Sequence, residues 1–304
     1  AYYGITQPYQ QIPVFDREGY IEAKLEAYQV ERDDTAALGN VFQGREAIGF
    51  EEGTETNWQE ISTRNGVRQN YHLGITGGNE RTNYSTSIGY ANEDGITLSD
   101  KFKKYTFKLY LLTEVKPYLR IGGDALLVYT QRDGRGVRFT DAVLLSPIVA
   151  AYDSTGDYIF AAAEPNPRRN PLAYTDDSEQ RTGQRILSSL YAMLNFTPDF
   201  YFRSSFGVIL DYDREGFTYP QVHPDDDAIE SGLSLDNDLE YTWTNILDYK
   251  KVLGQHSFGL MLGNEVRYER TEYYNMGGIY QFFPRTLWWA MGTVDQESNT
   301  ANSG

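Results

Sequence analysis

From Val67 onward, apolar and polar residues alternate with a period of two along most of the chain. Tyr71, Leu73 and Ile75 alternate with Asn70, His72, Gly74 and Thr76. After the break Gly77-Gly78-Asn79-Glu80-Arg81, the residues Tyr84, Thr86, Ile88 and Tyr90 alternate with Asn83, Ser85, Ser87 and Gly89. This period sends successive side chains to opposite faces of an extended strand. Runs of the same kind cover 105–111, 119–129, 184–197, 200–213, 239–252 and 257–269. The cleanest places Phe200, Phe202, Ser204, Phe206, Val208, Leu210 and Tyr212 on one face. A single helical period appears early, at 16–31: Asp16 is placed to cap it, and Tyr20, Ile21, Leu25 and Tyr28 fall near 3.6-residue spacing. The polar, glycine-containing stretch 33–56 reads as loop.

The connections alternate between tight turns (77–81, 117–118, 198–199, 254–255) and longer polar loops (92–100, 131–182, 216–236). Residues 273–304 read as an extracellular loop or tail. The strand runs last about 11 to 16 residues, against the ~5–6 typical of globular proteins. Aromatics sit near their ends, at Tyr71, Tyr90, Tyr105, Tyr129, Phe200, Tyr212, Tyr249 and Tyr268. The opposite face is small or charged, with Gly74, Ser85, Gly89, Gly122, Ser205, Gly207, Gly259 and Gly263. Long strands, one greasy face and short-then-long connections are the pattern of an outer-membrane barrel. The expected fold is therefore all-β: about nine long strands of an antiparallel transmembrane β-barrel, with one helix in an early loop. A soluble β-sandwich or solenoid, its apolar faces meeting in a core, is the competing expectation.

Composition narrows the function. The 304 residues carry 27 basic and 43 acidic side chains, a net charge of −16, which argues against nucleic acid as a partner. With no cysteine, disulfide scaffolds, thiolate metal sites and cysteine nucleophiles are excluded. Tyrosine occurs 25 times although mean hydropathy is −0.55, a mixture suited to surfaces that meet both water and something greasy. The longest near-apolar run, 142–151, is interrupted by Ser146 and Pro147, well short of the ~20 residues that a membrane-crossing helix needs. The chain opens Ala1-Tyr2-Tyr3, which reads as a removed targeting signal or an internal piece.

Candidate chemistry is sparse. Asp225-Asp226-Asp227 lacks the alternating ligands and glycine of a calcium loop. Asp211 and Asp213 share a strand face, but neighbours two positions apart do not flank a scissile bond by themselves. His72, His223 and His256 are dispersed, and Gly134-Arg135-Gly136 lacks the strand-to-helix setting of a phosphate loop. No catalytic residue, metal or cofactor is expected, and the chain is read as non-enzymatic.

Several blocks resemble the SusC/RagA family of TonB-dependent outer-membrane transporters. The most specific is Thr76-Gly77-Gly78-Asn79-Glu80-Arg81-Thr82-Asn83-Tyr84, followed by Gly89-Tyr90 and Glu93-Asp94-Gly95-Ile96. Asn57-Trp58-Gln59-Glu60, Asn170-Pro171-Leu172, Gly254-Gln255-His256 and Gly263-Asn264-Glu265 add weaker support. At the front, Ala1-Tyr2-Tyr3-Gly4-Ile5-Thr6-Gln7-Pro8 and Glu18-Gly19-Tyr20-Ile21 resemble the first barrel strand and the helix after it. The resemblance implies that 1–304 is the N-terminal part of a TonB-dependent receptor barrel, lacking the plug domain and the C-terminal strands. It implies a Gram-negative (Bacteroidetes-like) outer membrane and its lipid, a SusD-like lipoprotein and TonB as partners, and a glycan or peptide cargo. Trp288, Trp289, Tyr280 and Phe283 are the candidate sugar-stacking residues, against the alternative that they simply pack a loop or a girdle. The competing functional class is a soluble, acidic, β-rich binding module of a surface or secreted protein.

Overall fold

The computed structural model describes residues 1–304 apart from 9, 163–167, 221–227, 282–283, 296–299 and 304. Its frame is one antiparallel sheet of ten strands, each paired with its sequence neighbours in the order β1 to β10. The strands are β1 (Tyr2–Thr6), β2 (Gly66–Gly78), β3 (Thr82–Asp94), β4 (Lys101–Lys116) and β5 (Leu119–Asp133), then β6 (Ser178–Thr197), β7 (Phe200–Tyr219), β8 (Glu230–Leu253), β9 (His256–Gly278) and β10 (Thr300–Ser303). From β2 to β9 the register slips only beside two tight turns, between Glu114 and Lys116 and between Asn195 and Thr197. Elsewhere a side chain keeps its face from strand to strand, as the period-two pattern requires.

The tight turns close one end of the sheet with the expected chemistry. Asn79 Oδ1 accepts from the backbone N–H groups of Arg81 (2.9 Å) and Thr82 (2.8 Å), holding the β2–β3 turn. Gly254 takes φ 63° in the two-residue β8–β9 turn, a left-handed conformation that glycine adopts without steric cost. All long connections leave from the other end, and two of them fold into a cap. The first carries α1 (Arg17–Tyr28), α2 (Thr35–Val41), α3 (Arg45–Glu52) and α4 (Trp58–Ile61). The β5–β6 connection carries α5 (Phe139–Leu144) and a 3₁₀ turn (Pro171–Thr175), and a second 3₁₀ segment (Pro284–Thr293) follows β9. Asp16 caps α1 by accepting from Gly19 N–H at 2.8 Å, and Asn170 does the same for Leu172 N–H at 2.9 Å.

The packed core lies in this cap. Ile21, Leu25, Val41, Phe42 and Ile148 form one buried cluster, while Trp58, Leu145, Val149, Ala162 and Leu172 belong to a second. Successive residues Ile148 and Val149 enter different clusters, so the β5–β6 connection ties the first loop's helices together. The Trp58 indole N–H donates to the Ser146 carbonyl at 2.9 Å, and Thr56 N–H donates to the Pro147 carbonyl at 2.8 Å. Each large apolar side chain so buried contributes ~1.5–3 kcal/mol of transfer free energy. The apolar face of the sheet is the opposite case: Leu73, Ile75, Leu260 and Leu262 stay 56–62% exposed.

The expected fold class is overturned. Where one helix was expected, the described residues form five α-helices and two 3₁₀ segments. Those in 33–56 are seven and eight residues long, too short to display a convincing 3.6-residue period. Among the described residues the ten strands make an open sheet, since β1 and β10 each pair on one side only, and no barrel closes. Period-two patterning sets the faces of a strand and is silent about what its last strand meets. The chain is thus an open antiparallel sheet with a helical cap, and the arrangement by itself defines no membrane-spanning segment. Among the described residues no helix is long and apolar enough to cross a membrane. The loops at 131–182 and 216–236 are also shorter than expected, because β6 to β8 extend to 20, 20 and 24 residues.

Candidate functional site

The polar face carries a charged row near the cap end. Arg68, Glu93, Phe102, Arg132, Arg181 and Glu215 are successive register partners from β2 to β7. Ion pairs run along it: Arg68 Nε to Glu93 at 3.4 Å, Arg132 Nε to Asp100 at 3.2 Å, and Arg181 to Glu215. One step toward the turn end, Thr130, Gly183 and Asp213 are register partners, and the two rows enclose a recess of about 360 Å³. Gly183 keeps it open, because a Cβ there would stand 2.7 Å from Asp213 Oδ1 and 2.8 Å from Thr130 Oγ1. Arg185 pairs with Asp211 at 2.9 Å, while Asp236 and Asp238 of β8 face Asp213 and Asp211. This is a mixed surface of donors and acceptors with one aromatic ring, suited to holding polar molecules through hydrogen bonds and charge. Asp211 and Asp213 do share a face, yet among the described residues no group of three or more His, Asp or Glu is arranged to hold a metal ion.

The roof over this face is pinned by buried charge. The Asp177 carboxylate has no exposed side-chain surface and accepts a two-pronged contact from Arg169 (2.6 and 2.8 Å) and a third from Arg135 (3.2 Å). The Arg135 guanidinium lies 4.3 Å from the Tyr219 ring centre and that of Arg169 4.5 Å from Tyr174, adding cation–π attraction. Nearby phenols are held neutral. Burial, reinforced by hydrogen bonds to Asp141 and Asp176, pushes the Tyr174 and Tyr158 hydroxyls up to about 12. Deeper in the cap, burial and a 2.6 Å bond to Glu46 do the same for Tyr20, again to about 12.

Of the residues singled out as sugar-stacking candidates, Trp288 and Trp289 lie elsewhere. Trp288 is buried against β7, where a Cβ at Gly216 would run into its indole. Trp289 is adjacent, with ring centres 6.0 Å apart, and is 66% exposed. The Arg214 guanidinium sits 3.9 Å from the Trp289 ring centre. Arg214 and Gly216 share the face of Phe206, Val208 and Leu210, so the Trp pair packs on the side opposite the charged recess. Tyr280 is exposed, with φ 56°. Phe283, Asp225-Asp226-Asp227 and His223 lie outside the described residues. The recess itself escaped the sequence reading because Arg132 and Arg181 fell inside an expected loop. The signal was there: they continue, at even spacing, the faces of Val128 and Arg185.

A strand-built wall with one polar and one apolar face, roofed by connections at one end, is the class of protein that the geometry defines. Known proteins place it further. No family model matches the chain. It is 22% identical over 226 residues, 68% of its length, to TonB-dependent receptor P3 of Formosa agariphila, and covers 22% of that protein. Against TonB-dependent receptor SusC of Bacteroides thetaiotaomicron it is 22% identical over 273 residues, covering 77% of this chain and 26% of SusC. In fold, 99% of the chain matches 38% of a chain in the structure of the RagAB peptide transporter, with a TM-score of 0.80 at 13% identity. The chain is a distant homologue of SusC/RagA-type TonB-dependent transporters and spans about a quarter of the curated relatives' length. These relatives are transport proteins, not catalysts, in keeping with the non-enzymatic reading.

Proposed function

We propose that this chain forms part of a TonB-dependent nutrient transporter of the Gram-negative outer membrane, working with TonB and a SusD-like lipoprotein on a glycan or peptide cargo. The reading rests on one observation above others: the sequence matches to TonB-dependent receptors extend over 68–81% of the chain in three relatives. The fold match over 99% of the chain supports it. The polar face supplies the wettable surface that a polar cargo needs, and the exposed Leu and Ile of the other face suit an apolar surrounding.

Fractionation of the source bacterium tests it, together with growth of a strain lacking the gene on single polysaccharides or peptides. The expected result is recovery with outer membranes and loss of growth on one nutrient class. Recovery in the soluble secreted fraction with growth unchanged would overturn the reading in favour of a soluble acidic binding module.

A further inference from the structure

The charged row contains a feature that a merely solvated face does not require. Arg132 of β5 and Arg181 of β6 are direct register partners, so two guanidinium stems leave the sheet side by side on one face. Like charges set directly opposite across strands repel. A salt-bridge ladder built for stability alternates its signs, but here the order is carboxylate, Arg, Arg, carboxylate. Asp100 meets Arg132 from the β4 side, and Glu215 meets Arg181 from β7. Both acidic partners therefore sit on the outer flanks. Each planar guanidinium has five N–H donors; among the described residues Arg132 pairs with Asp100 and Arg181 with Glu215, with the Asp213 charge also near Arg181, so both guanidinium groups keep donors for a further partner.

We propose that Arg132 and Arg181 form a binding site for a carboxylate carried by the cargo, as a uronic-acid unit of a glycan or an acidic residue of a peptide. A carboxylate placed between the paired forks takes charge-assisted hydrogen bonds from both and removes their mutual repulsion. The rest of the recess fits a group attached to that carboxylate. Phe102 offers an apolar ring face, Glu93 and Asp213 accept from neighbouring hydroxyl or amide N–H groups, and Gly183 leaves the room. At about 360 Å³ the recess lies at the small end of ligand-sized pockets and holds one such unit, not a chain. The inference deepens the transport reading and depends on it only for calling the bound molecule cargo.

Calorimetric titration of the purified full chain with tetragalacturonate, tetraglutamate and neutral maltotetraose tests the site. At least one carboxylate probe is expected to bind, and maltotetraose to bind at least tenfold more weakly. Arg132→Gln/Arg181→Gln should weaken the carboxylate probe tenfold or more. Gly183→Val, which keeps both arginines but fills the notch, should weaken it as well, so the result does not hang on one variant. Which carboxylate probe binds names the source. Binding of neither, equal binding of maltotetraose, or undiminished binding by both variants would overturn the site while leaving the transport reading intact. Arginine-dependent binding by a chain that fractionates as soluble would sink transport and keep the site.

Discussion

The sheet and the cap are built on opposite principles. In β2–β9 the backbone ladder is nearly continuous, and the side chains have little to pack on beyond their cross-strand neighbours. The rings of Tyr71, Tyr90, Tyr105 and Tyr129, 5.0–6.4 Å apart in sequence of pairing, show how far such contacts go. In the cap the helices are short, yet Ile21, Ile148, Val149 and Ala162 are fully buried. Regularity and burial are thus separated in space. The sheet owes its order to hydrogen bonds and register, whereas the cap owes its order to packing and to a few buried polar contacts.

That contrast can be broken at its strongest point first. Asp177→Ala leaves Arg169 and Arg135 without their carboxylate and should cost ~3–5 kcal/mol in denaturant unfolding. Trp58→Ala removes the anchor between the two long connections and should cost a similar ~3–5 kcal/mol, through a cavity and an unpaired Ser146 carbonyl. Alkali probes the cap's buried phenols. Because Tyr20, Tyr158 and Tyr174 titrate near 12 when folded and near 10 when unfolded, their contribution is complete below pH 10. It is lost as pH rises toward 12, so tyrosinate absorbance should show cap unfolding in that window. Leu262→Ala on the 61%-exposed β9 surface should change stability by less than ~0.5 kcal/mol. A loss there as large as that of Trp58→Ala would mean that the sheet's apolar face is packed in solution, and the contrast would fall.

Much of the candidate site was within reach of the sequence, but its assembly was not. The alternation around Val128 and Arg185 already put the right residue types on the polar face, and only the assumed loop at 131–182 hid their continuation through Arg132 and Arg181. Their pairing depends on register between strands separated by a 44-residue connection (134–177), a distance at which local periodicity carries no information. Trp288 taught the reverse lesson. Its residue type left open a ligand platform or a packing ring, and the structure sets its indole against Gly216.

By itself the sequence determined the central runs of β2 to β9, their faces and the tight turns at one end, because each depends on neighbours within a few positions. It also carried enough of the Gly-Gly-Asn-Glu block and its surroundings to mark kinship with SusC/RagA-type transporters. Only the tertiary structure decided that the connections fold into helices, that the core lies in them, and that two arginines stand side by side. Those outcomes depend on which distant segments meet, and the energies that select them exist only once the chain has come together.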